Sequence, residues 1–131
     1  MRFIIPWDYC VSKRDKIVLR RTKGKTVPRT TDRWKLALRS INLKAADQAT
    51  RKPYEGDVNV NFYMYPPSGN QRDPHNYMEV VLDGLEGVAY LNDQQGKNGS
   101  WHFMGTDRQN PRMIIDVSPA PLLLEVPPPP V

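Results

Sequence analysis

Arg72-Asp73-Pro74-His75-Asn76-Tyr77-Met78-Glu79-Val80-Val81-Leu82-Asp83-Gly84-Leu85-Glu86-Gly87 is the stretch around which the rest of the chain is arranged. Asp73 suits a helix N-cap, and Pro74 suits the first helical position, where a missing N–H costs nothing. Met78, Val81, Leu82 and Leu85 follow at i, i+3, i+4 and i+7, which predicts one apolar stripe. Asn76, Glu79 and Asp83 repeat on a neighbouring polar face. Gly84 and Gly87 end the helix, and Val88-Ala89-Tyr90-Leu91 reads as a short strand or extended turn leading to Asn92-Asp93-Gln94-Gln95. A helix of about 12 residues is about 18 Å long. Asp93 therefore meets Asp73 only if the chain after Gly87 folds back along the helix.

Upstream, Asp57 to Tyr65 alternates, with Val58, Val60, Phe62 and Met64 on one face and Asn59, Asn61, Tyr63 and Tyr65 on the other, which predicts a strand. The loop Pro66 to Gln71 then delivers Arg72 and Asp73 near a strand end. Earlier still, Thr31 or Asp32 caps a second helix whose stripe is Trp34, Ala37, Leu38, Ile41 and Ala45. Phe3-Ile4-Ile5 and Ile17-Val18-Leu19 are short runs of strand type. Downstream, Gly96 to Ser100 reads as a turn. Trp101 to Met104 and Arg112 to Val117 read as a closing hairpin.

Charge is distributed unevenly. Residues 1–52 hold fifteen Lys or Arg against four acids, whereas residues 53–131 hold four against ten. A basic half joined to an acidic half suits a protein that grips a polyanion with one part and holds a metal with the other. Between Lys13 and Lys35 stand ten basic residues and two acids, with Gly24 and Pro28 marking a turn or loop. Lys13, Arg14, Lys16, Arg20, Arg21, Lys23, Lys25 and Arg29 are the candidate DNA contacts, on a flexible loop that tracks phosphates.

The length suits one modest domain with one core. It is expected at residues 1–117, followed by a Pro-rich, disordered tail at 118–131, where six of the fourteen residues are proline. No run of 18 apolar residues exists, and the apolar start at Met1 to Pro6 is too short for a signal peptide, so the expected location is cytoplasmic. The single cysteine, Cys10, excludes an internal disulfide and a cysteine-based zinc site. There is no P-loop and no Gly-x-Ser-x-Gly.

The pattern Asp73-x-x-Asn76-x-x-Glu79-x-x-x-Asp83-x-Leu85-x-Gly87, followed by Tyr90-x-Asn92-Asp93-x-Gln95, resembles the central motif of the RusA family of Holliday-junction resolvases. In that family the motif is usually Asp-x-Asp-Asn-x-x-Lys, then Asp-x-Leu, then Asp-Asp-x-Gln. The resemblance implies a small single-domain α+β fold, with a mixed or antiparallel sheet packed against two or three helices. It also implies a homodimeric, Mg²⁺- or Mn²⁺-dependent endodeoxyribonuclease that resolves four-way junctions by paired nicks during recombination and repair.

By the same resemblance Asp73 and Asp93 are metal ligands. His75 stands where the family has its second aspartate, and Glu79 where it has a lysine. At i and i+4 on a helix, Glu79 can supply the carboxylate that position 75 lacks, with His75 as imidazole ligand or base. An imidazole ligand tilts the preference towards Mn²⁺. Arg72, and less directly Lys97, are candidates to replace the cation, while around the site Asn76 braces it and Asp83 fixes the motif helix or a dimer contact. The alternative is a junction-binding protein that keeps the fold with weakened catalysis, because two of the usual positions differ.

Overall fold

The computed structural model describes residues 1–70 and 72–120. Six strands and two helices follow one another as β1 (Arg2–Pro6), β2 (Ile17–Thr22), β3 (Lys25–Thr30), α1 (Asp32–Gln48), β4 (Val58–Tyr65), α2 (His75–Gly84), β5 (Gly96–Phe103) and β6 (Arg112–Pro119). Four strands form a mixed sheet in the order β1-β6-β4-β5, and β2 and β3 form a separate two-stranded ribbon. The expected α+β class, one sheet against two helices, is what the chain adopts.

β4 is central because it is the most regular. Val58, Val60, Phe62 and Met64 are buried on one face, and they meet Met113, Ile115 and Val117 of β6 and Phe3 and Ile5 of β1 in a single core. α1 starts where Thr31 Oγ1 accepts from the Trp34 amide at 3.2 Å. It buries Trp34, Ala37, Ile41 and Ala45, as its stripe predicts. The inner face of α2 is turned slightly from the expected stripe: Val80, Val81, Gly84 and Leu85 are buried, while Met78 and Leu82 pack at its margin.

Three expectations are corrected. Trp101 to Met104 and Arg112 to Val117 do not pair as a hairpin, because β4 lies between β5 and β6. β4, α2 and β5 form a strand-helix-strand unit, and such a crossover leaves its two strands parallel, as β4 and β5 are. Gly96 to Ser100 is accordingly the first part of β5 rather than a turn. The basic stretch is no flexible loop: Ile17↔Thr30 through Thr22↔Lys25 pair antiparallel around a tip where Lys23 and Gly24 both have positive φ, the geometry of a tight hairpin.

The sheet extends through Pro119, two residues past the expected boundary, and Ala120 N donates to Asp57 O at 2.9 Å. The remainder of the expected disordered tail, 121–131, lies outside the described residues.

Gly99 has a packing role on β5. A Cβ there would lie 2.0 Å from Val60 O, so only glycine lets β5 approach β4 this closely. Gly99→Ala is expected to push β5 off the sheet at a cost of about 1–3 kcal/mol, the usual range for overpacking. A lowered urea midpoint checks this, and an unchanged midpoint contradicts it.

Candidate active site

The residues after α2 decide where the acidic groups go. Between Gly87 and Asp93 the chain turns beneath the helix end instead of running back along it. The amides of Val88 and Ala89 both donate to Leu85 O, at 3.1 and 2.9 Å, and Gly87 N donates to Tyr90 O at 2.7 Å, which closes a compact turn under the helix C-terminus. Val88, Ala89 and Tyr90 are buried there, and the Tyr90 hydroxyl donates to Leu82 O at 2.6 Å. From α1, Asn42 Nδ2 donates to Gly84 O and Glu86 O at 3.0 and 3.1 Å. That pair of bonds fixes the helix end.

Asn92 opens a 3-10 turn at Asp93–Gln95 with a reciprocal cap. Gln95 Oε1 accepts from the Leu91 and Asn92 amides, both at 2.9 Å, and its Nε2 donates to Tyr54 O and Gly56 O at 2.8 and 2.7 Å. The Asn-Asp-x-Gln segment is thus a clasp that fixes the backbone carrying Asp93. Asp93 N donates to Glu86 Oε1 at 3.2 Å.

The outcome is a trio: carboxylate oxygens of Asp83, Glu86 and Asp93 lie within 4.8 Å of one another. The trio shares only Asp93 with the expected metal set of Asp73, His75, Glu79 and Asp93. Asp73 and His75 stand at the opposite end of α2, since eight residues separate His75 from Asp83, about 12 Å along a helix axis. Asp73 Oδ1 accepts from the His75 amide at 3.0 Å, which is capping work, and the His75 ring meets the Trp101 ring edge-on at 5.7 Å. Arg72 donates to Ser68 O, Asn70 O and Ser68 Oγ and lies over the Trp7 ring at 5.7 Å. Asn76 is half-buried on α2, and Lys97 is exposed on β5.

Glu79, one turn before Asp83, is paired with two cations: Lys16 Nζ at 2.7 Å and Lys13 Nζ at 3.8 Å. The Glu79 hydrogen bond, followed by attraction to Glu79, Asp83 and Asp93, raises the Lys16 ammonium above its ordinary range, against the opposing effect of burial. Lys16 also lies over the Trp34 ring at 5.3 Å. The cation that the structure sets against Glu79 and close enough to act on Asp83 is therefore Lys16, from the chain before β2. Sequence spacing did not reveal this pairing. Glu86, three residues after Asp83, joins this candidate cluster and was not among the expected site residues.

Of the other expected DNA contacts, Lys13 and Arg14 stand on a 3-10 turn, Lys13–Asp15, and Arg20, Arg21, Lys23, Lys25 and Arg29 on the β2–β3 ribbon; all are exposed. Cys10 is buried, and burial pushes its thiol far above the ordinary value.

Partial burial raises Asp83 from 3.8 to about 6, helped by repulsion from Asp93, Glu79 and Glu86 and opposed by Lys16. The donor set fits a divalent ion of the Mg²⁺ or Mn²⁺ kind, because these take carboxylate oxygens and no imidazole or thiolate is needed. A raised carboxyl destabilises the fold above its folded pKa, and that penalty is absent below 3.8, where both states are protonated. In the metal-free protein, Asp83→Asn should therefore raise the melting temperature at pH 7.5 and leave it unchanged at pH 3.5. Equal shifts at both values would show that Asp83 carries no such strain.

A small α+β domain that sets a carboxylate trio near Lys16, at the base of a cationic ribbon, has the layout of an enzyme acting on a phosphate backbone. The family model Endodeoxyribonuclease RusA matches residues 6–118, and the chain belongs to that family. Membership implies an endodeoxyribonuclease that resolves Holliday junctions. No curated protein matches the chain. Among the described residues, no helix is long and apolar enough to cross a membrane.

Proposed function

We propose that the chain is a structure-selective, Mg²⁺- or Mn²⁺-dependent endonuclease that makes paired nicks across four-way DNA junctions, acting in the cytoplasm as a homodimer with one site per subunit. The observation that carries this reading is the convergence of Asp83, Glu86 and Asp93 within 4.8 Å on a chain of the RusA family. When bound, a divalent ion supplies an activated water and positive charge for the leaving oxygen. Asp83, Glu86 and Asp93 would hold it.

In this reading Gln95, Asn42 and Tyr90 keep the trio in place, and Lys16 presents its ammonium to the phosphate beside the acids. Asp73 and His75 frame the far end of α2. Twofold pairing matches the symmetry of a junction, and C₂ is the commonest oligomer symmetry. A second reading, a junction-binding protein with weakened catalysis, draws on Glu79, whose charge occupies Lys16 and Lys13.

Incubation with a synthetic four-way junction in Mg²⁺, Mn²⁺ or EDTA separates the two. Symmetric nicks in Mg²⁺ or Mn²⁺ and none in EDTA are expected. Salt-sensitive binding without nicks in any of the three supports the second reading and overturns the first.

A further inference from the structure

The β2–β3 ribbon carries a feature that phosphate binding leaves unexplained. In an antiparallel pair, residues directly opposite share a face. Ile17↔Thr30, Leu19↔Pro28 and Arg21↔Thr26 therefore lie on one side of the ribbon, and Val18↔Arg29 and Arg20↔Val27 on the other. On the first side Leu19 is 68% exposed, Ile17 55%, and Pro28 is exposed beside them. Three apolar side chains thus face solvent on an element fastened chiefly at its base, where Thr31 N donates to Lys16 O at 2.9 Å and the Thr31 hydroxyl donates to Asp15 O.

The charge around this stripe selects its occupant. From Ile17 to Thr30 the ribbon holds five cations, Arg20, Arg21, Lys23, Lys25 and Arg29, and no acid. Arg21 shares the apolar face, whereas Arg20, Lys25 and Arg29 lie on the opposite one, so a second copy docked on this face would set Arg21 against its own equivalent and bring two ribbons of five cations each together. A partner anionic outside and apolar inside satisfies both features at once. Nucleic acid has this construction, with phosphates around stacked bases. A two-stranded ribbon fits a DNA groove, and Leu, Ile and Pro are among the side chains that wedge between base steps. Unstacking costs least where the stack is already interrupted, as at a branch point.

We infer that the Ile17–Leu19–Pro28 face is a base-contacting wedge that enters the open step at a DNA branch point, while the surrounding arginines and lysines hold the flanking phosphates. This inference rests on the junction-binding reading given above.

The full chain is mixed in EDTA, at saturating protein, with a four-way junction carrying 2-aminopurine beside the branch point, so that binding is read without cleavage. The wild-type protein should raise the fluorescence of the unstacked base. Leu19→Ser should cut that rise at least fivefold while affinity for linear duplex changes less than twofold, and Leu19→Met, which stays apolar, should keep it. An undiminished rise with Leu19→Ser, or no rise with the wild type, overturns the wedge. So does loss of a sedimenting dimer on Leu19→Ser, which would assign the face to a second copy. Cleavage of the unlabelled junction in Mn²⁺ is scored separately. Its absence would count against the nuclease reading and leave the fluorescence result to decide the wedge alone.

Discussion

Asp93→Asn and Asp83→Asn should each lower single-turnover junction cleavage by roughly 10²–10³-fold, the range found when one electrostatic group is taken from a reactive centre. Divalent-ion binding, followed by calorimetry, should weaken in parallel. Junction affinity in EDTA should hold or rise, because removing a negative charge from a surface that meets phosphates does not hinder them. Asp73→Asn is the decisive contrast. Its Oδ1 accepts one backbone N–H at the start of α2, and asparagine caps about as well as aspartate, so cleavage should fall by less than about tenfold. The opposite ranking, with Asp73→Asn inactive and Asp83→Asn active, would move the metal site to the other end of α2.

That contrast also marks how far the sequence could be read. Local periodicity made α1, β4 and α2 legible, because burial of one face is written in the 3.6- and 2-residue spacing of apolar side chains. Non-local choices were not. Which strand neighbours β5 depends on the crossover through α2, and the separation of β5 from β6 by β4 is a property of the assembled sheet. The acids follow the same rule. Asp73 and Asp93 flank the motif symmetrically in sequence, yet the turn at 87–90 bonds back to Leu85 and tucks Asp93 beside Asp83 and Glu86. The Lys16–Glu79 pair was hidden in the same way: the two residues are 63 apart, and nothing in the spacing of either segment joins them.

A charge exchange across that ion pair should have the second largest effect. Lys16→Ala takes from Glu79 its closest ammonium and from Asp83 an attracting charge, and cleavage should drop on the order of 10²-fold if that charge faces the developing charge on phosphate. Stability should hardly move. Both side chains are 31% exposed, and a pair so open to water contributes at most about 1 kcal/mol. Glu79→Lys alone sets a third cation against Lys13 and Lys16 and should remove little activity or none. Lys16→Glu combined with Glu79→Lys reverses the pair and keeps one cation beside the trio, so the double variant should cleave within about fivefold of wild type. The cycle should show a coupling of about 0.5–3 kcal/mol in the activation free energy, as expected for residues in direct contact. A merely structural ion pair predicts another pattern, in which melting temperature and cleavage fall together and recover together. Should Lys16→Ala cleave as fast as the unaltered protein, the positive charge at this centre must come from elsewhere on the ribbon or its base.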